Sequence, residues 1–161
     1  MKNKKGFTLV ELLAVIVVLA IVMGIAAVAI TNVLDSTRKN AYVASAKQYI
    51  EGAKSLVEAE VVDRMFATGE TTYLKKCEKD QPYDITIANI KLKSGGDSPY
   101  GAAFDTTNSK VVVKVTDSNC STFEYSIYMV DELGNKIATD STSTTPVAAS
   151  DLDATKVFTA S

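Results

Sequence analysis

Three hydrophobic patterns follow one another along the chain. From Leu12 to Ile30 every residue is apolar or small, and the first charge after Glu11 is Asp35. Those 19 residues, as a helix rising 1.5 Å per residue, reach about 28 Å, close to the thickness of bilayer hydrocarbon. From Thr31 to about Thr68 the pattern becomes amphipathic. Tyr42, Ala46, Tyr49, Ile50, Ala53, Leu56, Val57 and Val61 recur every three or four residues and form one face. Asp35–Lys39, Lys47–Glu51, Lys54–Glu58 and Glu60–Arg64 are spaced as i,i+4 charge pairs on the solvated side. No proline precedes Pro82, and Gly69 is a helix stop signal. The pattern predicts one helix over residues 7–68, with an apolar half (7–30) and an amphipathic half (31–68).

After Gly69 the period shifts towards two. Residues 72–81 read as a connecting loop holding Cys77. A strand is predicted over Tyr83–Lys93, irregular near Asn89, and Gly95-Gly96-Asp97-Ser98-Pro99 is a turn. Lys110–Thr116 and Thr122–Val130 are the clearest strands, rich in Val, Ile, Phe and Tyr, joined through Asp117-Ser118-Asn119. Glu132–Asn135 turns again, Lys136–Thr139 returns as a strand and Lys156–Thr159 is a final one. Ala138–Ser150, full of Ser and Thr, reads as a solvated loop open to glycosylation. The expected fold class is α+β: a long N-terminal helix packed on an antiparallel β-sheet head spanning 69–161.

Composition narrows the chemistry. With 161 residues there is room for about one domain. The 17 basic and 19 acidic residues become 14 and 19 once Lys2, Lys4 and Lys5 are set aside. A mildly acidic body argues against nucleic-acid binding by the head. The chain has no histidine. That excludes Ser-His-Asp and Cys-His catalysis and histidine metal ligands. No phosphate loop, EF-hand loop or dinucleotide fingerprint occurs, so no enzyme activity, metal or cofactor is implied. Cys77 and Cys120 read as a disulfide if the head is exported, or as two core thiols if it is not. A bridge would close a 44-residue loop, worth about 4 kcal/mol in the chain-entropy model. Asn119-Cys120-Ser121 matches the N-glycosylation pattern, a short match that arises easily by chance.

The N-terminal segment carries the most information. Lys2, Lys4 and Lys5 precede the apolar run, which places the leader inside and the body outside a membrane. Ala27-Val28-Ala29 resembles a signal-peptide cleavage site, but the run is long for a signal peptide and contains Glu11. A plain membrane anchor is a second reading. A carboxylate in hydrocarbon is costly, so by default it marks function.

Lys5-Gly6-Phe7-Thr8-Leu9-Val10-Glu11-Leu12-Leu13, with the apolar run behind it, resembles the processing and methylation motif of type IV pilins and pseudopilins. The resemblance is close over about the first thirty residues. It implies a leader of residues 1–6, cleavage after Gly6 by a prepilin peptidase, and methylation of the new Phe7 amine. Glu11 would then become the fifth residue of the mature chain and pair with that amine, in its own or a neighbouring subunit. Implied partners are copies of the chain or other pilins, the peptidase-methyltransferase, an inner-membrane assembly platform and the membrane before assembly. The implied course runs from single-pass membrane precursor to extracellular filament serving adhesion or motility. Alternatives are a pseudopilin of a secretion or DNA-uptake machine, a minor pilin and, from another class, a membrane-anchored binding domain. Many family members have proline where this chain has Val28, so Gly24 and Thr31-Asn32 are the weaker candidates for loosening the helix. Ala14, Ala20, Gly24, Ala26, Ala27 and Ala29 are small enough for close helix packing.

Overall fold

A computed structural model of the protein describes residues 8–65, 78–92 and 97–160, with the backbone alone at 28, 29 and 63–65. Helix α1 runs Leu9–Met65. The start is set by Thr8, whose carbonyl accepts the first helical hydrogen bond from Leu12 N at 3.2 Å. Phe7, residues 66–68 and Gly69 lie outside the described residues. The backbone is helical through residues 24, 28, 31 and 32.

By its contacts the chain divides into two units, residues 1–37 and 38–161. In the first, the large apolar side chains of α1 are exposed, from 48% at Leu19 and Leu34 to 80% at Leu9. Among the described residues of that unit nothing covers them, and the helix is long and apolar enough to cross a membrane.

The second unit is built on the amphipathic half of α1. Tyr42, Val43, Ala46, Tyr49, Ile50, Ala53 and Val57 are buried, with Leu56 and Val61 half-buried against the same core. Val43, outside the predicted face, joins it. Of the charge pairs expected on the solvated side, Lys54 instead turns back to Glu51, three residues earlier, at 2.6 Å.

Among the described residues six strands form an antiparallel sheet: β1 (Pro82–Thr86), β2 (Lys110–Val115), β3 (Phe123–Val130), β4 (Lys136–Ile137), β5 (Val147–Ala148) and β6 (Val157–Phe158). The spatial order is β1-β2-β3-β4-β6, and β5 also pairs with β3. β2 alternates half-buried with buried residues, placing Val111, Val113 and Val115 in the core. Register runs Val113 to Tyr125 and Val111 to Ile127. The edge of β3 away from β2 is divided. β5 takes Ser126 and Ile127, and β4 takes Met129 and Val130. Ile85, Ile127, Met129, Ile137, Val147, Leu152 and Val157 complete the core against α1. The α+β architecture is the one the pattern predicts.

Two local expectations are corrected. The strand expected over residues 83–93 ends at Thr86, because Ile87–Asn89 coil into a 3₁₀ turn that drives Ile87 and Ile90 into the core. The loop expected over 138–150 contains β5, which Val147 anchors by burying its side chain beside its register partner Ile127.

At Gly52 the helix passes close to Ile90. A Cβ there would lie 2.4 Å from Ile90 Cγ2, a buried side chain with little room to yield. In an exposed helix interior Gly→Ala gains about 1 kcal/mol. Here overpacking reverses the sign, and Gly52→Ala is expected to lower stability by about 1–2 kcal/mol. Denaturant unfolding of the detergent-solubilised chain measures it; a stabilised variant contradicts this packing.

Candidate functional site at the start of the helix

The first turn of α1 is closed by a reciprocal pair of side chains. Glu11 Oε2 accepts the Thr8 backbone N–H at 2.8 Å and the Thr8 hydroxyl at 2.9 Å. Thr8 Oγ1 in turn accepts the Glu11 N–H at 3.3 Å. This is a capping box: Thr8 at the N-cap, Glu11 at the third helical position, each satisfying an amide that the helix leaves without a partner. In an apolar surrounding such amides have no water to turn to, so the box matters more there than on a soluble helix. The T-x-x-E spacing was legible in the sequence, which otherwise assigns Glu11 only to the Phe7 amine. Both bonds from Thr8 land on Oε2. A carboxylate has about four acceptor positions, so the cap leaves Oε1 for a cation.

Of the other expected site residues, Gly6 and Phe7 lie outside the described residues, as does Cys77. Cys120 is buried at 6% exposure. It sits at φ +54°, an uncommon backbone angle for a residue with a side chain. The turn around it is organised by Asp117, which accepts Ser121 N and Thr122 N at 2.9 and 3.0 Å and Ser121 Oγ at 2.6 Å. The Ser121 hydroxyl and these amides hold the Asp117 carboxyl well below the usual range.

The head contains one polar cluster that the sequence does not announce. Asp131 is 2% exposed. Its Oδ1 accepts Leu133 N and Asn135 N at 3.1 and 2.8 Å. Its Oδ2 accepts Ser98 Oγ and Asn135 Nδ2 at 2.6 and 2.9 Å. Asn135 extends the network: its carbonyl accepts the Tyr42 hydroxyl at 2.8 Å, and its Oδ1 accepts Ala160 N at 3.0 Å. The cluster thus ties together α1, the 98–104 segment, the β3–β4 turn and the end of the chain. Tyr42 also meets Phe104 edge-on at a 5.2 Å centroid distance. Burial, and then the Asp131 charge, push its hydroxyl far above the ordinary tyrosine range, so it stays a donor.

No group of three or more His, Cys, Asp or Glu side chains among the described residues is arranged to hold a metal ion.

No curated protein and no solved structure matches the chain. The match found is at its N-terminus, where residues 1–27 fit the family model of the prokaryotic N-terminal methylation motif. The N-terminal segment therefore carries the hallmark of type IV pilin and pseudopilin precursors.

Proposed function

We propose that the protein is a structural subunit of an extracellular type IV pilus. In this reading a prepilin peptidase cuts after Gly6 and methylates the Phe7 amine, and the subunit then polymerises through the apolar half of α1. The carrying observation is the conjunction of the methylation motif with a capped helix whose N-terminal half leaves its described large apolar side chains exposed in the single chain. Those side chains face lipid before assembly and other copies afterwards.

Cutting before Phe7 creates a cation at the tip of an apolar helix. A buried charge without its partner costs about 3–5 kcal/mol. Glu11 Oε1 meets that need while Oε2 keeps the cap, so pairing with a neighbour's Phe7 amine fixes register between subunits. The leader stays on the cytoplasmic side of the cytoplasmic membrane and the head is exported. There a Cys77–Cys120 disulfide closes the segment between α1 and β3. The filament serves adhesion or surface motility. The same motif occurs in pseudopilins, and filament length separates the two.

Mass spectrometry of the mature N-terminus tests the reading. An N-methylated Phe7 is the expected result. An intact Met1, or a terminus at Ile30, overturns it in favour of an anchored or secreted binding domain. Long surface fibres labelled by antibody to the head point to a pilus, and their absence beside a methylated terminus to a pseudopilin.

A further inference from the structure

Two features of the head fit each other but not within one chain. The first is a knob. Among the described residues of the second unit, the large apolar side chains left exposed are Val62 and Leu133, the latter at 58%. Leu133 stands at the tip of the β3–β4 turn, beside the exposed acid Glu132. The turn is rigid: Asp131 Oδ1 holds Leu133 N and Asn135 N, Gly134 N bonds Asp131 O at 2.9 Å, and Gly134 takes the left-handed φ of +88°. A preorganised apolar tip loses little entropy on docking.

The second feature is a groove of about 780 Å³ between α1 and the stretch that follows the 3₁₀ turn. Leu56 and Leu92 contribute its apolar lining, and Lys47 and Lys91 stand at its rim. The acid there, Glu51, is already bonded to Lys54 at 2.6 Å. The groove therefore offers an apolar seat with excess positive charge, and the knob offers a leucine beside a negative one.

We propose that the Glu132-Leu133 turn of one copy docks into the Lys47–Leu56–Lys91–Leu92 groove of another, as a head-to-head contact along the filament. This rests on the filament reading above. Copies sharing one bundle of N-terminal helices run parallel. The turn that carries the knob is tied to Tyr42 through Asn135, and the groove is lined around Gly52. Ten residues of helix separate those levels, so knob and groove meet when neighbouring copies are staggered by about 15 Å along the helix. The contact joins different surfaces of the two copies, and such a contact propagates rather than closing into a dimer.

A photo-crosslinking amino acid at position 133 of the full-length chain, expressed in its host, tests the contact. The expected result is a crosslinked dimer whose joined peptide maps to residues 47–56 or 89–92. Crosslinks that map elsewhere, or monomer alone in preparations that contain filaments, overturn the proposal. Charge reversal gives an independent reading, since every residue changed is exposed. Glu132→Lys and Lys91→Glu are each expected to lower sheared filament yield about fivefold or more, and the double variant to restore at least half of it. Failure of the double variant to recover also overturns the contact. Methylated Phe7, read in the same samples, keeps the two questions separate: its absence sinks the filament reading, whereas its presence without the mapped crosslink sinks the docking alone.

Discussion

Asp131→Asn is expected to destabilise the protein by about 2–3 kcal/mol, seen as a lower denaturant midpoint of the detergent-solubilised chain. The substitution keeps the shape and removes the acceptor balance. Both carboxylate oxygens of Asp131 receive two donors each. An asparagine oxygen can keep the Leu133 and Asn135 amides, but its NH₂ then faces Ser98 Oγ and Asn135 Nδ2. The serine can rotate its hydroxyl and accept. Asn135 can adapt only by flipping its amide, and that breaks the bond from Ala160 N to its Oδ1. Unflipped, the buried Asn135 Nδ2 is left without an acceptor, and such a group costs more than an ordinary hydrogen bond is worth. Glu132→Gln, one residue on but exposed, is the control and is expected to stay within about 0.5 kcal/mol of wild type. Equal midpoints for Asp131→Asn and wild type would mean that the buried carboxylate is not what holds the turn.

The second large effect is on assembly, and it separates the two roles of Glu11. Glutamine at the third helical position still completes a capping box, so Glu11→Gln keeps the cap and removes the charge. Thr8→Val does the reverse. If the carboxylate balances the Phe7 amine of a neighbouring subunit, Glu11→Gln subunits are processed normally, while filament yield falls at least about tenfold, as loss of a buried partner charge implies. Thr8→Val is expected to cost about 1 kcal/mol of local helix stability and to reduce yield far less. Immunoblots of sheared filaments against total processed subunit measure both. If Glu11→Gln assembles as well as wild type and Thr8→Val does not, the cap is the working part and the charge is incidental.

The two variants also mark where the sequence was readable. The amphipathic face of α1, β2 and β3 are periodic runs long enough to name themselves, whereas the capping box, a local T-x-x-E motif, went unread behind the methylation motif. The rest depended on distant partners. Val147-Ala148 is two residues after a proline in a run of serines and threonines, and only the free edge of β3 makes it a strand. Ile85 and Ile87 fit a strand alternation, and the three-residue step to Ile90 reads only as an irregularity in it; packing of Ile90 against Gly52 goes with a 3₁₀ turn there. Asp131 looks like any acid at a turn, because the hydroxyl and tyrosine that enclose its network come from Ser98 and Tyr42. The terminal motif was legible at once because its chemistry is read by residue type rather than by fold.

The divided edge of β3 has a consequence for how this head can vary. Met129 holds Ile137 and Ile127 holds Val147, so both ends of the intervening segment are fastened to one strand, two residues or about 7 Å apart. Thr139 N reaches Thr145 O at 3.3 Å and closes the neck. What lies beyond that neck adds no strand and buries no large side chain. Chain length there is uncoupled from the core, since doubling such an excursion costs only about 0.6 kcal/mol. The head thus carries a position where its outer surface can be rewritten, residue by residue or by insertion, while the sheet beneath stays the same.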